Sequence, residues 1–366
     1  SADTVAFSGF ENLSGEGGDD TFNLRDDVGG NVDGGDDADI INLTRGVTVS
    51  GTLTGGAGGG VNDDDTLVLV DIVGDQTNNW EITAENEGTI ETQAFEEMEN
   101  LTGNGEDDVF TFTAALTGTA SGGGEDDVFN INDNGSAGEI DGGAEATVGG
   151  DEVTYAGRVA QAADVAIDTF TDVETLTGSD LLTDTLRGTG AGDTFTVDAG
   201  NGNTAGVTGS ADTVAFSDFE NLSGEGGDDT FNLNSAFAGA IDGGANGANG
   251  DEIVGNATGN AFVVNDVVNG DGGTVNTTTS FTDVENLTGG AGVDQFTFDA
   301  ALTGRAFGDG QDDVFNINDN GSVGEIDGGA EATAAGDEVT YAGRVAQAAD
   351  VAIDAFTDVE TLTGSD

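Results

Sequence analysis

The sequence predicts an all-β protein, a parallel β-solenoid (β-helix or β-roll) of roughly 18 coils of about 19–24 residues. Three observations indicate it: a short strand motif recurs along the chain, its copies are evenly spaced, and two long repeats differ in length by about one such spacing. A solenoid tolerates the loss of a whole coil because each coil contacts only its neighbours, whereas a closed sandwich or barrel does not.

The strand motif is Asp-x-apolar-x-apolar. Its copies begin at Asp20, Asp39, Asp108, Asp127, Asp193, Asp229, Asp294 and Asp313. Apolar residues alternate with Asn or Thr in these copies, and a period of two is the signature of a strand with one buried face. Glycines precede the aspartates, so each copy predicts a short strand entered through a turn.

A second motif, Glu-Asn/Thr-Leu-Thr/Ser-Gly, lies between the copies of the first. It occupies Glu11–Gly15, Glu99–Gly103, Glu174–Gly178, Glu220–Gly224, Glu285–Gly289 and Glu360–Gly364. It predicts a further strand that ends in a glycine turn.

The spacing of the apolar anchors supports stacked coils. Consecutive anchors lie 19 residues apart in one set and 22–26 apart in the other; the pairs are Phe22/Ile41, Phe110/Phe129 and Phe296/Phe315, then Ile41/Leu67, Phe129/Val153 and Phe231/Ile253. Ser1–Leu24 returns as Ser210–Leu233 at an offset of 209, and Leu101–Asp180 returns as Leu287–Asp366 at an offset of 186. We therefore assign residues 1–209 to a first long repeat and 210–366 to a second, one coil shorter and truncated. We expect one continuous rod without a globular domain boundary, excerpted from a longer array.

Two longer inserts interrupt this pattern. Val70–Gln93 and Ala156–Thr169 have weaker glycine marking and are expected to bulge as loops. Arg158–Ile167 fits a short helix, although Asp164–Asp168 fits a strand equally well.

The composition is strongly acidic. Six arginines and no lysine or histidine face 72 acidic residues, which gives a net charge of −66. Such a surface repels nucleic acid and anionic membranes, so partners are cations, cationic surfaces or neutral sugars. A chain this acidic and glycine-rich could be disordered. The phenylalanines that fall in register inside alternating strands argue for folding instead.

Gly289–Thr297 has the sequence Gly-Gly-Ala-Gly-Val-Asp-Gln-Phe-Thr. It resembles the nonapeptide of the repeats-in-toxin (haemolysin-type calcium-binding) family at every defined position. The resemblance implies a parallel β-roll with calcium in its turns, held by the motif aspartates Asp20, Asp39, Asp108, Asp127, Asp193, Asp229, Asp294 and Asp313. The array as a whole resembles the stalks of giant secreted or surface-anchored, adhesin- or filament-type prokaryotic proteins.

Electrostatics gives a separate reason to expect cations. In-register stacking places acidic turns about 5 Å apart, where like charges cost on the order of 1 kcal/mol per pair even in water. Aspartate doublets increase this repulsion and add to the candidate calcium ligands Asp19, Asp107, Asp126, Asp228 and Asp312. Gly/Asp/Asn turns are rich in the oxygen ligands that Ca²⁺ prefers.

The acidity has two alternative origins that stay open. Asp and Gly are good turn residues without any ion. A lysine-free acidic surface is also typical of halophilic proteins, whose surface charges are screened by molar salt.

Asn-x-Ser/Thr sequons, the acceptor sites for N-glycosylation, occur at Asn12, Asn42, Asn100, Asn134, Asn221, Asn256, Asn276, Asn286 and Asn320. Those in the second motif have the alternative role of forming the strand and the turn.

The residue inventory argues against an enzyme. No histidine, cysteine or lysine exists to serve as a nucleophile or tuned base, and the few arginines are scattered. We expect a non-enzymatic stalk or filament segment of an extracellular, cell-surface protein, rigidified by calcium, whose coils associate with neighbouring repeats or with other copies end to end or laterally. The alternatives are a glycan- or surface-binding solenoid module and a halophile surface-layer or matrix protein without specific calcium sites.

Overall fold

The computed structural model describes residues 9–56, 64–70, 76–144, 150–179, 183–200, 202–210, 213–333, 336–346 and 356–364. The described residues form many short β-strands and no helix, so the predicted all-β class is confirmed. None of this described chain offers a helix long and apolar enough to cross a membrane. The first eight residues of the repeat that starts at Ser1, and the last two of the repeat that ends at Asp366, lie outside the described residues.

The strands are short, and most have two to six residues. The first group is β1 (Leu13–Ser14), β2 (Thr21–Leu24), β3 (Val32–Asp33), β4 (Ile40–Thr44), β5 (Leu53–Thr54), β6 (Thr66–Val70), β7 (Asn78–Ala84), β8 (Glu87–Ile90), β9 (Gln93–Glu96), β10 (Asn100–Thr102), β11 (Asp108–Phe112), β12 (Thr119–Gly124), β13 (Val128–Ile131), β14 (Glu139–Ala144) and β15 (Glu152–Thr154). The second group is β16 (Asp164–Ala166), β17 (Phe170–Thr171), β18 (Thr175–Thr177), β19 (Thr185–Arg187), β20 (Asp193–Val197), β21 (Asn203–Val207), β22 (Val214–Ser217), β23 (Asn221–Ser223), β24 (Gly226–Gly227), β25 (Thr230–Leu233), β26 (Ala240–Asp242) and β27 (Ala245–Asn246). The third group is β28 (Glu252–Val254), β29 (Ala261–Val264), β30 (Gly273–Val275), β31 (Thr279–Thr282), β32 (Asn286–Gly290), β33 (Gln295–Phe298), β34 (Ala301–Asp309), β35 (Val314–Ile317), β36 (Ser322–Asp327), β37 (Glu338–Thr340), β38 (Phe356–Thr357) and β39 (Thr361–Thr363).

The chain divides into two compact units. The first comprises Ser1–Ala162 and Thr169–Leu181, and the second comprises Ala163–Asp168 and Leu182–Asp366. The boundary between the two long sequence repeats, at residues 209 and 210, falls inside the second unit.

In the first unit, strands that follow one another along the chain belong alternately to two sheets, except that β7, β8 and β9 all belong to the second. The first sheet runs β2-β4-β6-β10-β12-β14-β17 and is parallel throughout. The second sheet runs β1-β3-β5-β9-β8-β7-β11-β13-β15-β18 and is parallel except at β7, β8 and β9. Two parallel neighbours need a crossover connection, and here the connecting segment contributes a strand to the other sheet.

The second unit repeats this arrangement. One of its two sheets, the third of the chain, runs β16-β19-β23-β26-β31-β30-β29-β33-β35-β37-β39. Its fourth sheet runs β22-β21-β20-β25-β28-β32-β34-β36-β38. Both contain one antiparallel stretch, β29–β31 and β20–β22 respectively.

The predicted anchors pair directly with one another. Anchors 19 residues apart face each other across neighbouring parallel strands, as do those 22–26 apart; the pairs are Phe22/Ile41, Phe110/Phe129, Phe296/Phe315, Ile41/Leu67, Phe129/Val153 and Phe231/Ile253. Stacked aromatic rings follow, with the centroids of Phe110 and Phe129 5.0 Å apart and those of Phe296 and Phe315 4.8 Å apart. The core is therefore a row of superposed side chains, which the strand motif supplies. Below, a coil is the stretch of chain that leads from one strand to its parallel neighbour in the same sheet.

The longer inserts are more regular than expected. Much of Val70–Gln93 forms β7 and β8, which make an antiparallel meander with β9. Asn78–Ala84 alternates polar and apolar residues and buries Trp80 and Ile82, and this period specifies a strand where weak glycine marking suggested a loop. In Ala156–Thr169 the strand alternative is correct, since Asp164–Ala166 is β16 and pairs with β19.

Candidate functional site

The motif aspartates stack into rows, which we call aspartate ladders. In each ladder the backbone N–H of one aspartate donates to Oδ1 of the aspartate one coil further on, at 2.6–2.7 Å between aspartates. The ladders of the described residues, in chain order, are Asp20-Asp39-Asp65-Glu99, Asp108-Asp127-Asp151-Glu174, Asp184-Glu220, Asp193-Asp229-Asp251-Glu285 and Asn260-Asp294-Asp313-Asp337-Glu360. Register places these residues together because every one precedes an apolar anchor by two positions.

Each ladder ends on the glutamate of the second motif. Glu99 Oε2 accepts the N–H of Asp65 at 2.9 Å, and Glu285 Oε2 accepts that of Asp251 at 3.0 Å. Glu174, Glu220 and Glu360 do the same for Asp151, Asp184 and Asp337. The two sequence motifs are thus one structural position, occupied by aspartate within a ladder and by glutamate at its end.

The asparagine that follows the glutamate binds two coils at once. Asn286 donates from its backbone N–H and from Nδ2 to the carbonyl of Asp251, while its Oδ1 accepts the N–H of Arg305 at 3.1 Å. Asn100 makes the equivalent bonds to Asp65 and Thr119. These side chains therefore hold the coils on either side in register.

The interior aspartates of the ladders are buried in an unusual way. Asp127, Asp229, Asp294 and Asp313 are at most 1 % exposed, and their Oδ2 atoms have no hydrogen-bond donor among the described residues. Each Oδ2 lies beside a glycine of its own turn. On its other side that glycine meets a backbone carbonyl of the next coil. Gly122, for example, lies between Asp127 Oδ2 and the carbonyl oxygen of Gly142. Two acceptor oxygens therefore flank one glycine, and an unpaired buried acceptor is costly.

Asn260 shows how a hydrogen-bond donor fits at a ladder position. It occupies the same position at the head of the last ladder, and its Nδ2 donates to the carbonyl of Gly289 at 2.9 Å. A donor thus fills the gap that Asp127 and its equivalents leave between two acceptors. A protonated Oδ2 at those aspartates would supply the same donor, and a cation would supply a positive charge in its place.

Burial raises the pKa of these carboxyl groups far above their ordinary value. It raises the pKa of Asp127 to about 8, where the negative charges of Asp108 and Asp151 add to the effect. Burial likewise raises the pKa of Asp229 and Asp313 to about 7, and that of Asp251 and Asp294 to about 6.

These raised pKa values make the folded chain less stable as the pH rises. Asp127, Asp229, Asp251, Asp294 and Asp313 bind protons more tightly when folded than in the unfolded chain, where the pKa of an aspartate is near 3.8. Their contribution is fully present below that value and is lost as the pH rises through about 6–8. We expect the urea midpoint in chelator, at fixed ionic strength, to fall steadily from pH 5 to pH 8. A midpoint that rises over this range would contradict the assignment, and Asp127→Asn should flatten the slope.

The first aspartates of the doublets have a different role. Asp228 accepts the N–H groups of Ala248, Asn249 and Gly250, and these bonds hold its pKa below the ordinary value. Asp312 does the same for the loop at Ala332 and Thr333. Both loops belong to coils longer than 19 residues, so these carboxylates fasten the extra residues to the coil before.

The remaining predicted ligands fall into two groups. Asp39, Asp108 and Asp193 are buried ladder members, and Asp20 is a half-buried one. At the ladder heads Asp108 and Asp193, Oδ2 accepts an N–H from within its own turn. Asp19 and Asp107 are exposed and Asp126 is half-buried, one residue before the ladder.

Sequence reasoning missed ten acidic ladder members. They are Asp65, Asp151, Asp184, Asp251 and Asp337, with the five terminal glutamates. The signal was available, because each of these residues also stands two positions before an apolar anchor, as Asp151 does before Val153.

The atoms that could hold a cation in these turns are all oxygens. The available ligands are carboxylate Oδ2 atoms and backbone carbonyls, and oxygen ligands in flexible number suit Ca²⁺. Nowhere in the described ranges do three or more acidic side chains converge on one point, so each site would combine one carboxylate with carbonyl groups.

Comparison with known proteins finds no family model that matches the chain and no curated protein that matches it.

Proposed function

We propose that this chain is a non-enzymatic structural segment, a stalk or filament section of an extracellular, adhesin-like surface protein, built as a parallel β-solenoid. The aspartate ladders are the observation that carries this proposal. They run from coil to coil in both units and link successive turns by short hydrogen bonds at buried positions. A site repeated at every coil serves the length of a fibre, whereas an active site is formed once.

Chemistry at the ladders also favours a structural role. Their carboxyl groups are enclosed between coils and are at most 1 % exposed at Asp127 and Asp313, so a substrate has no access to them. The chain contains no histidine, cysteine or lysine that could act beside them.

Calcium is the proposed stabilising ion. Asp127, Asp229, Asp294 and Asp313 would hold it with Oδ2, together with the glycine carbonyls that face them. A bound cation supplies the positive charge that offsets both the repulsion along a ladder and the cost of burying an ionised carboxylate. Calcium and protons compete for these oxygens, so calcium binding should strengthen as the pH rises.

A calcium titration tests this function. The chain is dialysed against chelator at about 0.15 M ionic strength, where surface charges are screened beyond about 8 Å. Far-UV circular dichroism and the urea midpoint are then followed at pH 8 as calcium is added. We expect a gain in β-structure or in stability, of about 2.7 kcal/mol per site at a calcium concentration 100 times Kd.

Matched controls identify the ligands. Magnesium at the same ionic strength should have a much smaller effect, because it demands near-ideal octahedral geometry. Asp127→Asn combined with Asp313→Asn should reduce the calcium effect, whereas Asp107→Asn should leave it unchanged. A fold that is fully formed in chelator at pH 8 and indifferent to calcium would reject calcium; one restored only by molar monovalent salt would assign the acidity to halophilic screening.

A further inference from the structure

We propose that Asn134 and Asn320 are acceptors for N-linked glycans. Both stand in Asn-Gly-Ser sequons, and they occupy equivalent positions 186 residues apart. The two sites lie in different units and have the same local structure. The inference rests on the extracellular setting proposed above, since glycosylation accompanies export.

The side-chain amides of these two residues are free. Both asparagines are exposed, and neither side chain makes a hydrogen bond within the described part of the chain. At the seven other sequons the asparagine amide is engaged; these are Asn12, Asn42, Asn100, Asn221, Asn256, Asn276 and Asn286. The structure thus separates two available sequons from seven whose amides hold strands, turns or coils in place.

A tight turn presents Asn134 to solvent. Gly135 donates its N–H to the carbonyl of Asn132 at 2.9 Å, which puts Asn134 at the corner of the turn. A side chain on Gly135 would collide with the carbonyl of Phe112, so the middle residue of the sequon must be glycine. Ser136, the hydroxyl residue of the sequon, is exposed beside it.

The second copy preserves this geometry. Gly321 donates its N–H to the carbonyl of Asn318 at 3.0 Å, and a side chain on Gly321 would collide with Phe298. Asn320 and Ser322 are both exposed. The repeated turn therefore keeps the acceptor and the hydroxyl outward in each unit.

A neighbouring apolar surface suits a sugar. The carboxylate of Asp133, next to Asn134, accepts the N–H groups of Val159, Ala160 and Gln161, and Val159 is 78 % exposed. In the second copy Asp319 fastens Val345, which is 90 % exposed. A glycan on either asparagine would cover this valine with the apolar C–H face of a sugar ring.

The reaction needs a glycosyl donor, which we identify as an oligosaccharide linked to a polyprenyl diphosphate. The Asn134 Nδ2 atom forms a bond to C1 of the first sugar. The bond between C1 and the diphosphate oxygen breaks, the lipid diphosphate leaves with the electron pair, and Nδ2 loses one proton.

The test is glycosylation of the folded chain by a purified single-subunit oligosaccharyltransferase with its lipid-linked donor, followed by peptide mass spectrometry. We expect modification at Asn134 and Asn320 to be at least about tenfold faster than at Asn100 or Asn286, because those amides must first break the hydrogen bonds that hold them. In urea-unfolded chain the preference should disappear.

Two results would overturn the proposal. One is equal modification of all sequons in the folded chain, and the other is modification of Asn134 and Asn320 in the unfolded chain only. Asn134→Gln and Asn320→Gln should each remove one glycan without changing the urea midpoint. Failure here, with the calcium response intact, would leave the proposed structural function standing.

Discussion

An Asp127→Ala variant is expected to lose about 2–4 kcal/mol of unfolding free energy at pH 5, because it leaves a buried N–H unpaired and a cavity behind. Asp127 Oδ1 accepts the N–H of Asp108 at 2.6 Å, and both residues are fully buried. Burial denies that N–H an acceptor from bulk solvent once the carboxylate is gone. The measurement is the urea midpoint, supported by hydrogen exchange at the amide of Asp108.

Asp127→Asn should behave in the opposite way. Its Oδ1 keeps the acceptor for Asp108, and its Nδ2 can donate to the carbonyl of Gly142, as Asn260 donates to Gly289. In chelator at pH 8 we therefore expect the asparagine variant to be more stable than the parent chain. Asp107→Ala, at the exposed neighbour, should change stability by less than about 0.5 kcal/mol. Equal losses in Asp127→Ala and Asp107→Ala would refute the ladder.

Gly122→Ala is the second variant with a large expected effect. A Cβ at this position would lie 2.6 Å from the carbonyl oxygen of Gly142 and would also collide with Asp127 Oδ2. The Asp127 carboxylate cannot shift without straining the hydrogen bond that its Oδ1 accepts from the N–H of Asp108. Overpacking of this kind costs typically 1–3 kcal/mol, and here backbone and a ladder carboxylate must both shift, so we expect about 3 kcal/mol or more.

Gly105→Ala provides the matched control. It lies in the preceding turn, the one that leads to Asp108; a methyl group added there would meet nothing within 4 Å, and neither glycine has a positive φ. Alanine there should stabilise by up to about 1 kcal/mol, because it reduces the entropy of the unfolded chain. The two substitutions are chemically identical, so unfolding midpoints that shift in opposite directions can come only from the packing between coils. Midpoints that shift together would show that Gly122 is not a contact point.

The sequence was most informative where one coil follows the next without interruption. Phe110 and Phe129 are 19 residues apart and pair directly, so the alternating pattern predicted both strand and register. Asp65 and Glu99 are direct neighbours in a ladder, but the β7–β9 meander separates them along the chain. Linear spacing therefore hid the common position of the two motifs, although the shared offset of two residues before an apolar anchor was present in both.

The candidate site was predictable in part for a similar reason. Asp229 and Asp228 are adjacent in a doublet, and sequence gives them equal claim to an ion. Their environments differ, since Asp229 lies within a ladder and Asp228 fastens the loop of the next coil. That difference depends on the length of a neighbouring coil and on burial, which no local motif encodes.

The ladders also explain how such a chain changes its length over generations. Asp20 corresponds to Asp229 and Glu99 to Glu285 in the two long repeats, yet Asp39 and Asp65 lie between the first pair and only Asp251 between the second. Between these matched positions the second repeat therefore has one rung fewer than the first. Because an interior rung donates and accepts the same bond, duplication or deletion of one leaves both ends matched. Heritable change in the number of repeats can thus proceed by whole rungs, each of which leaves the hydrogen bonds of the remaining ladder matched.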